Sequence, residues 1–259
     1  MKPAIPSVPN LRDVGGRRTG DGREFRTGLL FRSDQIGCPP EEDVRAIARL
    51  GLRYVYDLRT EAERAMFPGD PIPGATHVTL DVLADDRQSA PALLLRLVSD
   101  PGSAQAMLGD GRAVAMFMDS YRSFVRLDSA RAGYRRLYEG LADAGRLPAM
   151  FHCTTGKDRT GWACAALQMV LGVPYEAVVE DYLESNRRIL PKYQPHLSAF
   201  AAKGGDPEVL MPVLSVRPEY LEVAVQEACR EYGSIEGYFR AGLGLDDATL
   251  DALHARFVT

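Results

Sequence analysis

Residues 146–161 read RLPAMFHCTTGKDRTG. Ala149, Met150 and Phe151 form a brief apolar run that leads directly into His152 and Cys153, then five residues closed by Arg159 and Thr160. Beyond them TGWACAALQMVLG (160–172) has the periodicity of an amphipathic helix with Gly172 as its left-handed stop. The motif is therefore expected on a loop between a buried strand and a helix N-terminus. A helix start leaves backbone N–H groups unpaired and carries the positive end of the dipole, so such a loop suits a dianion. The same field, with the charge of Arg159, stabilises a thiolate at Cys153. Gly156 and Gly161 let the backbone curl close to the anion, and the planar fork of Arg159 can grip two oxygens at once.

The flanking sequence predicts the layers around this loop. Upstream, NLRDVGG (10–16), the run Leu29–Phe31, LRYVYDLRT (52–60) and GATHVTLDV (74–82) read as strands, and PPEEDVRAIARLG (39–51) as a helix stopped at Gly51. Two apolar stripes between 112 and 144 predict two helices, and Pro174 starts another through YEAVVEDYLESNRR (175–188). Strands alternating with helices imply an α/β fold with a central, mostly parallel sheet. Pro191, Pro195 and Gly204-Gly205 are expected to break the helix, and residues around 190–215 are read as a helical lid. In the tail, Ser234 and Asp246 are expected as N-caps and Gly233 as a stop.

At 259 residues, with 46% hydrophobic and 25% charged, the chain can bury one large core, and residues 1–259 are read as a single domain. A net charge of -4 speaks against nucleic acid, which needs a basic face. No run of about 18 apolar residues and no apolar leader occur, so stable membrane insertion is not expected and the location is read as cytoplasmic, with export lacking a cleaved signal left open. Cys38, Cys153, Cys164 and Cys229 show no metal or disulfide spacing; Cys164 and Cys229 are read as small core residues. His77, His196 and His254 stand alone, so no metal is expected. Nothing in the residues speaks to oligomeric state.

His152, Cys153, Arg159 and Thr160 match the H-C-x5-R-[S/T] loop of the cysteine-dependent tyrosine phosphatase superfamily. With NLRDVGG, LFRSDQI (30–36), YDLRT (56–60) and VRPEYLEVAVQEACREYGSIEGYFRAGLGL (216–245), the chain resembles the bacterial, triple-specificity branch of that superfamily over most of its length. The resemblance implies a phosphatase without cofactor or metal that acts on a phosphorylated protein or phosphoinositide. Cys153 attacks phosphorus to give a cysteinyl-phosphate, and Thr154, Thr155, Gly156, Lys157, Asp158, Arg159 and Thr160 hold the phosphate. Thr160 donates to the leaving sulfur, His152 shapes the loop, and Lys157 helps hold neighbouring phosphates. It also places the general acid inside the loop, at Asp158; Asp81, Asp85 and Asp86 are the alternatives on a separate loop. Asp57 either orients Arg159 or Arg59 from beneath or makes a plain strand-end ion pair.

Three other readings compete. Chance occurrence of the loop around a core thiol is opposed by the agreement of glycines, strand and helix. A rhodanese-like sulfurtransferase is opposed by the Arg159-Thr160 ending. A phospho-ligand-binding module without turnover is opposed by the presence of nucleophile, arginine and acid together.

Overall fold

The computed structural model describes residues 5–86 and 100–259. Five strands form the sheet: β1 (Arg12–Asp13), β2 (Leu30–Ser33), β3 (Tyr54–Asp57), β4 (Thr76–Thr79) and β5 (Ala149–His152). Their order is β1-β2-β5-β3-β4, with β1 antiparallel and every other pairing parallel. The short apolar run before the motif thus becomes the central strand, buried on both faces as a parallel strand requires. Edge strand β4 is mostly exposed and polar.

Side chains alternate across the sheet with period two. Leu30, Tyr56, Ala149 and Phe151 face the larger core, while Phe31, Val55 and Met150 face a smaller one with Ile36, Ile47 and Ile72. Helix α1 (Glu41–Ala48) contributes Ile47 to the smaller layer, and Gly51 takes the expected left-handed turn. Across the sheet lie α4 (Arg112–Arg126) and α5 (Asp128–Ala142), the pair foreseen from the two stripes. α6 (Arg159–Val170), α7 (Tyr175–Ala202), α8 (Pro218–Tyr232) and α9 (Asp247–Phe257) follow, while short α2 (Glu61–Met66) and α3 (Pro101–Leu108) precede them. Ser234 and Asp246 cap as expected, and Gly233 has positive φ.

Three expectations are corrected. Helix α6 is not amphipathic: Thr160 through Gln168 are all buried, because Tyr182 of α7 packs over Gly161 and Tyr138 of α5 donates to Ala163 O. Helix α7 does not break at its prolines but runs 28 residues through both. Pro191 and Pro195, four apart, lie on the exposed side, where water can reach the carbonyls their missing N–H groups leave unpaired. Leu190, Tyr193, Leu197 and Phe200 keep the inner stripe intact and pack in a separate apolar cluster with α3, the start of α4 and residues 209–214. Cys229 is exposed on α8, unlike buried Cys164; the apolar stripe of α8 passes to one side of it.

The register positions the site. Ser33 pairs with His152, and His152 with Asp57, so the carboxyl ends of β2, β5 and β3 finish in one row. Ligand sites in open parallel sheets form at this edge, where the chain leaves each strand.

Candidate active site

Cys153 to Asp158 link β5 to α6, as the sequence predicts. Their path is set from outside by three donors. Gln35 N donates to Thr154 O at 3.2 Å, Asn10 Nδ2 to Thr155 O at 2.9 Å, and Arg32 Nη2 to Gly156 O at 2.9 Å. Each trans peptide points its N–H opposite to its C=O. Holding three successive carbonyls outward therefore aims the amides of Thr155, Gly156 and Lys157 to the other side, which is what a phosphate cradle requires. Gly156 is indispensable here: its φ is +67°, and a Cβ would lie 2.2 Å from Ser33 O.

The scaffold behind these donors is charged and buried. Arg32 Nη1 donates to Asp181 Oδ2 at 3.0 Å, and Arg12 reaches Asp181 through Nε at 3.2 Å. Burial alone would raise the Asp181 pKa, but the charges of Arg12, Arg32 and Arg17 hold it far below its usual value. Asp181 is on α7, so this network ties the loop to the base of the long helix. At the same edge Asp34 accepts from Asn10 N at 3.1 Å and lies 4.0 Å from Lys192 Nζ. Burial pushes its pKa up to about 6, against the opposing charges of Lys192 and Arg12.

Arg159 opens α6 and is clamped by Glu63 of α2: Nη1 donates to Oε2 at 2.5 Å and Nη2 to Oε1 at 2.6 Å. Its Nη1 also faces Leu58 O at 3.5 Å. Of five guanidinium protons, the edge formed by Nε and the second Nη2 proton stays open for a bidentate anion. Glu63 also accepts from Thr154 Oγ1 and from Thr60 N and Oγ1. Burial works to raise the Glu63 pKa, yet Arg159 overrides it and brings it down to about 2. The arginine in turn keeps its charge despite burial, because Glu63 stands against it. Glu63 went unnoticed in the sequence. Its signal was the capping box Thr60-x-x-Glu63 at the start of α2, which reads as a helix start and nothing more.

Cys153 is 1% exposed. His152 Nδ1 is 3.1 Å from Cys153 O, an acceptor only, so Nδ1 carries a proton; burial lowers the His152 pKa and keeps the ring neutral. Thr160 Oγ1 is buried without a hydrogen-bond partner in the described structure, a donor in reserve near the loop. Asp57 turns its carboxylate to Arg59, with contacts of 2.7–3.1 Å, so of the readings offered it pairs with Arg59 and not Arg159.

Asp158 and Lys157 form a pair of their own. Lys157 Nζ lies 2.9 Å from Asp158 Oδ1 and 2.8 Å from Oδ2, with Ser215 O at 3.2 Å and the Phe117 ring centroid at 4.9 Å. Lys157 is 3% exposed, so its ammonium is housed in the junction of α4 with residues 211–217 and does not stand at the surface. Tyr121 OH donates to Asp158 Oδ1 at 3.1 Å. The other acid candidates cap structure: Asp81 accepts from Glu61 N and Leu83 N, and Asp85 from Ser129 N at the start of α5. Asp86 is the last described residue before 87–99. Tyr193, on the inner stripe of α7, packs in the apolar cluster with α3, and its pKa is raised to about 12 by burial and then by the charges of Asp34, Asp158 and Cys153.

Known proteins share the sequence over most of its length. A tyrosine phosphatase family model matches residues 3–259. The triple specificity protein phosphatase PtpB of Mycobacterium tuberculosis is 32% identical over 273 residues, 96% of each chain. A Cupriavidus necator protein carrying a tyrosine-phosphatase name is 32% identical over 250 residues, 95% of this chain and 86% of that one. The crystal structure of Pseudomonas aeruginosa TpbA is a distant neighbour, with TM-score 0.35 and 18% identity over 74% of this chain and 89% of that one. Among the described residues no helix is long and apolar enough to cross a membrane. The chain belongs to the tyrosine phosphatase family and is a phosphoric monoester hydrolase.

Proposed function

We propose that the chain dephosphorylates phosphotyrosine and also accepts phosphoserine, phosphothreonine and phosphoinositides, through a cysteinyl-phosphate on Cys153. The observation that carries this reading is the outward restraint of the Thr154, Thr155 and Gly156 carbonyls, which leaves three consecutive amides for phosphate oxygens beside the open edge of Arg159. Cys153 Sγ attacks phosphorus, the ester P–O bond breaks, and the leaving oxygen takes a proton from Asp158. Loop amides and Arg159 balance the charge on the equatorial oxygens. Water then displaces the sulfur; Asp158 accepts its proton, and Thr160 Oγ1 turns its hydroxyl to the departing Sγ.

Support for Asp158 over Asp81 and Asp85 comes from their bonding, since Asp81 accepts backbone amides on both oxygens and Asp85 accepts Ser129 N, in the first turn of α5, on Oδ2. Breadth beyond phosphotyrosine is supported by the likeness to a triple specificity protein phosphatase, and breadth toward inositol lipids by Lys157. It requires the lysine to leave Asp158 for a neighbouring phosphate. The α7 segment from Leu190 with residues 203–215 is read as the lid over Cys153, supported by the burial of that sulfur and by the packing of the segment against α3 and the start of α4.

The test is turnover of para-nitrophenyl phosphate, phosphotyrosine and phosphoserine peptides, and phosphoinositide by wild type and Cys153→Ser. Wild type is expected to turn over each, with turnover abolished in the variant. Binding of these ligands by wild type without release of phosphate would instead identify a non-catalytic module.

A further inference from the structure

Tyr121, on α4, is fully buried, and its ring is boxed by Phe124, Tyr182 and Tyr220 with centroids 4.9, 6.3 and 5.7 Å away. Its hydroxyl is 3.1 Å from Asp158 Oδ1 and 2.6 Å from the hydroxyl of equally buried Tyr182. A phenol has one proton and a carboxylate can only accept. Tyr121 therefore donates to Asp158, and Tyr182 donates to Tyr121. Burial, reinforced by the charge of Asp158, holds the Tyr121 pKa well above its usual value, so the donor persists at every working pH.

Counting acceptors on the carboxyl then separates its two oxygens. Oδ1 accepts from Tyr121 and Lys157, which occupy both its lone pairs, whereas Oδ2 accepts no hydrogen bond and has the Lys157 ammonium beside it as an ion pair at 2.8 Å. One site on Oδ2 stays free for a proton. The carboxyl is partly open, with 18% of its side chain exposed. A buried tyrosine commonly finds some partner. Here Tyr182 already supplies one, so the Asp158 contact is an addition that rigidly orients a group at the rim.

We propose that Tyr121, backed by Tyr182, is a positioning residue for the general acid: it fixes the Asp158 carboxyl so that Oδ2 delivers the proton to the leaving oxygen. The inference rests on the reading of Asp158 as that acid. Proton transfer tolerates little misplacement, and the effect should appear only where the leaving group needs a proton.

The experiment measures kcat/KM, which reports cysteinyl-phosphate formation, for phenyl phosphate and para-nitrophenyl phosphate with wild type, Tyr121→Phe, Tyr182→Phe and Asp158→Asn. Phenoxide is a poor leaving group and nitrophenoxide a good one. Tyr121→Phe should lower kcat/KM for phenyl phosphate about tenfold, ~1.4 kcal/mol and the size of one hydrogen bond, and leave the nitrophenyl ester within about twofold. Asp158→Asn should show the same selectivity, larger. Tyr182→Phe, which removes only the backing donor, should lose about threefold on phenyl phosphate alone and serves if Tyr121→Phe folds poorly. Equal losses on both esters, or none, in the tyrosine variants beside a selective Asp158→Asn would overturn the positioning role. An Asp158→Asn variant without selectivity would remove the acid assignment, and the role of Tyr121 with it.

Discussion

Replacing Glu63 by Gln should uncouple α2 from Arg159, and its cost can be reached by two routes. The carboxylate accepts from both Arg159 terminal nitrogens, from Thr154 and from Thr60, all in a buried setting. Glutamine keeps one oxygen but turns an amide donor toward the guanidinium, leaving a buried charge without its counterion. Breaking one side of a buried pair costs about 3–5 kcal/mol. Independently, the fall of the Glu63 pKa from its usual 4.5 to about 2 corresponds to ~3 kcal/mol at neutral pH. Because the folded value is the depressed one, that contribution is complete above pH 4.5 and is lost as pH falls through 2; by pH 3 about 2 kcal/mol of it is gone. Urea unfolding of wild type and Glu63→Gln at pH 7 and pH 3 should therefore show a gap of about 3–5 kcal/mol at pH 7 that narrows by about 2 kcal/mol at pH 3. Carboxylates common to both proteins cancel in the difference. At pH 7, kcat/KM should also fall about 100-fold as the arginine fork loses its anchor. A gap under about 1 kcal/mol, or one equal at both pH values, would refute the claim that Glu63 holds Arg159.

Other expectations follow from the loop and its surroundings. Gly156→Ala forces a side chain at φ +67° into Ser33 O, so kcat/KM should drop by at least about 100-fold; near-normal kinetics would show that the loop relaxes freely. Asp34 has a raised folded pKa, so its charge opposes folding above pH 6 and costs nothing below its usual 3.8. Asp34→Asn should accordingly gain about 1–3 kcal/mol at pH 7 and nothing at pH 3.5, read from urea melts. Removing the buried Phe200 ring should loosen the α7 end from α3 and speed alkylation of Cys153 by iodoacetamide more than about tenfold, followed by mass spectrometry with exposed Cys38 and Cys229 as internal controls; an unchanged Cys153 rate would end the lid reading.

Much of this was legible in the chain. The strand-loop-helix around Cys153, the two helices over 112–144 and the glycine stops are local matters, decided by apolar period and by which residues tolerate positive φ. The misreadings have a common origin. Pro191 and Pro195 break a helix only if the carbonyls they orphan are cut off from water, and exposure is not written in the dipeptides themselves. The moderate polarity of TGWACAALQMVLG looked like a wet face, whereas Tyr138 and Tyr182 cover that side of α6.

The sequence by itself determined the loop at 153–161, because thiol, glycines and guanidinium within nine residues need only a strand before them and a helix after. Only the tertiary structure decided what holds it: Glu63, 91 residues from Thr154, Asn10, 145 from Thr155, Arg32, 124 from Gly156, and Tyr121, 37 from Asp158. A carboxylate or phenol carries no mark of its distant partner. The partner is chosen by the register that sets Ser33, His152 and Asp57 in one row, and by helices packing so tightly over that row that each buried polar group must find a mate.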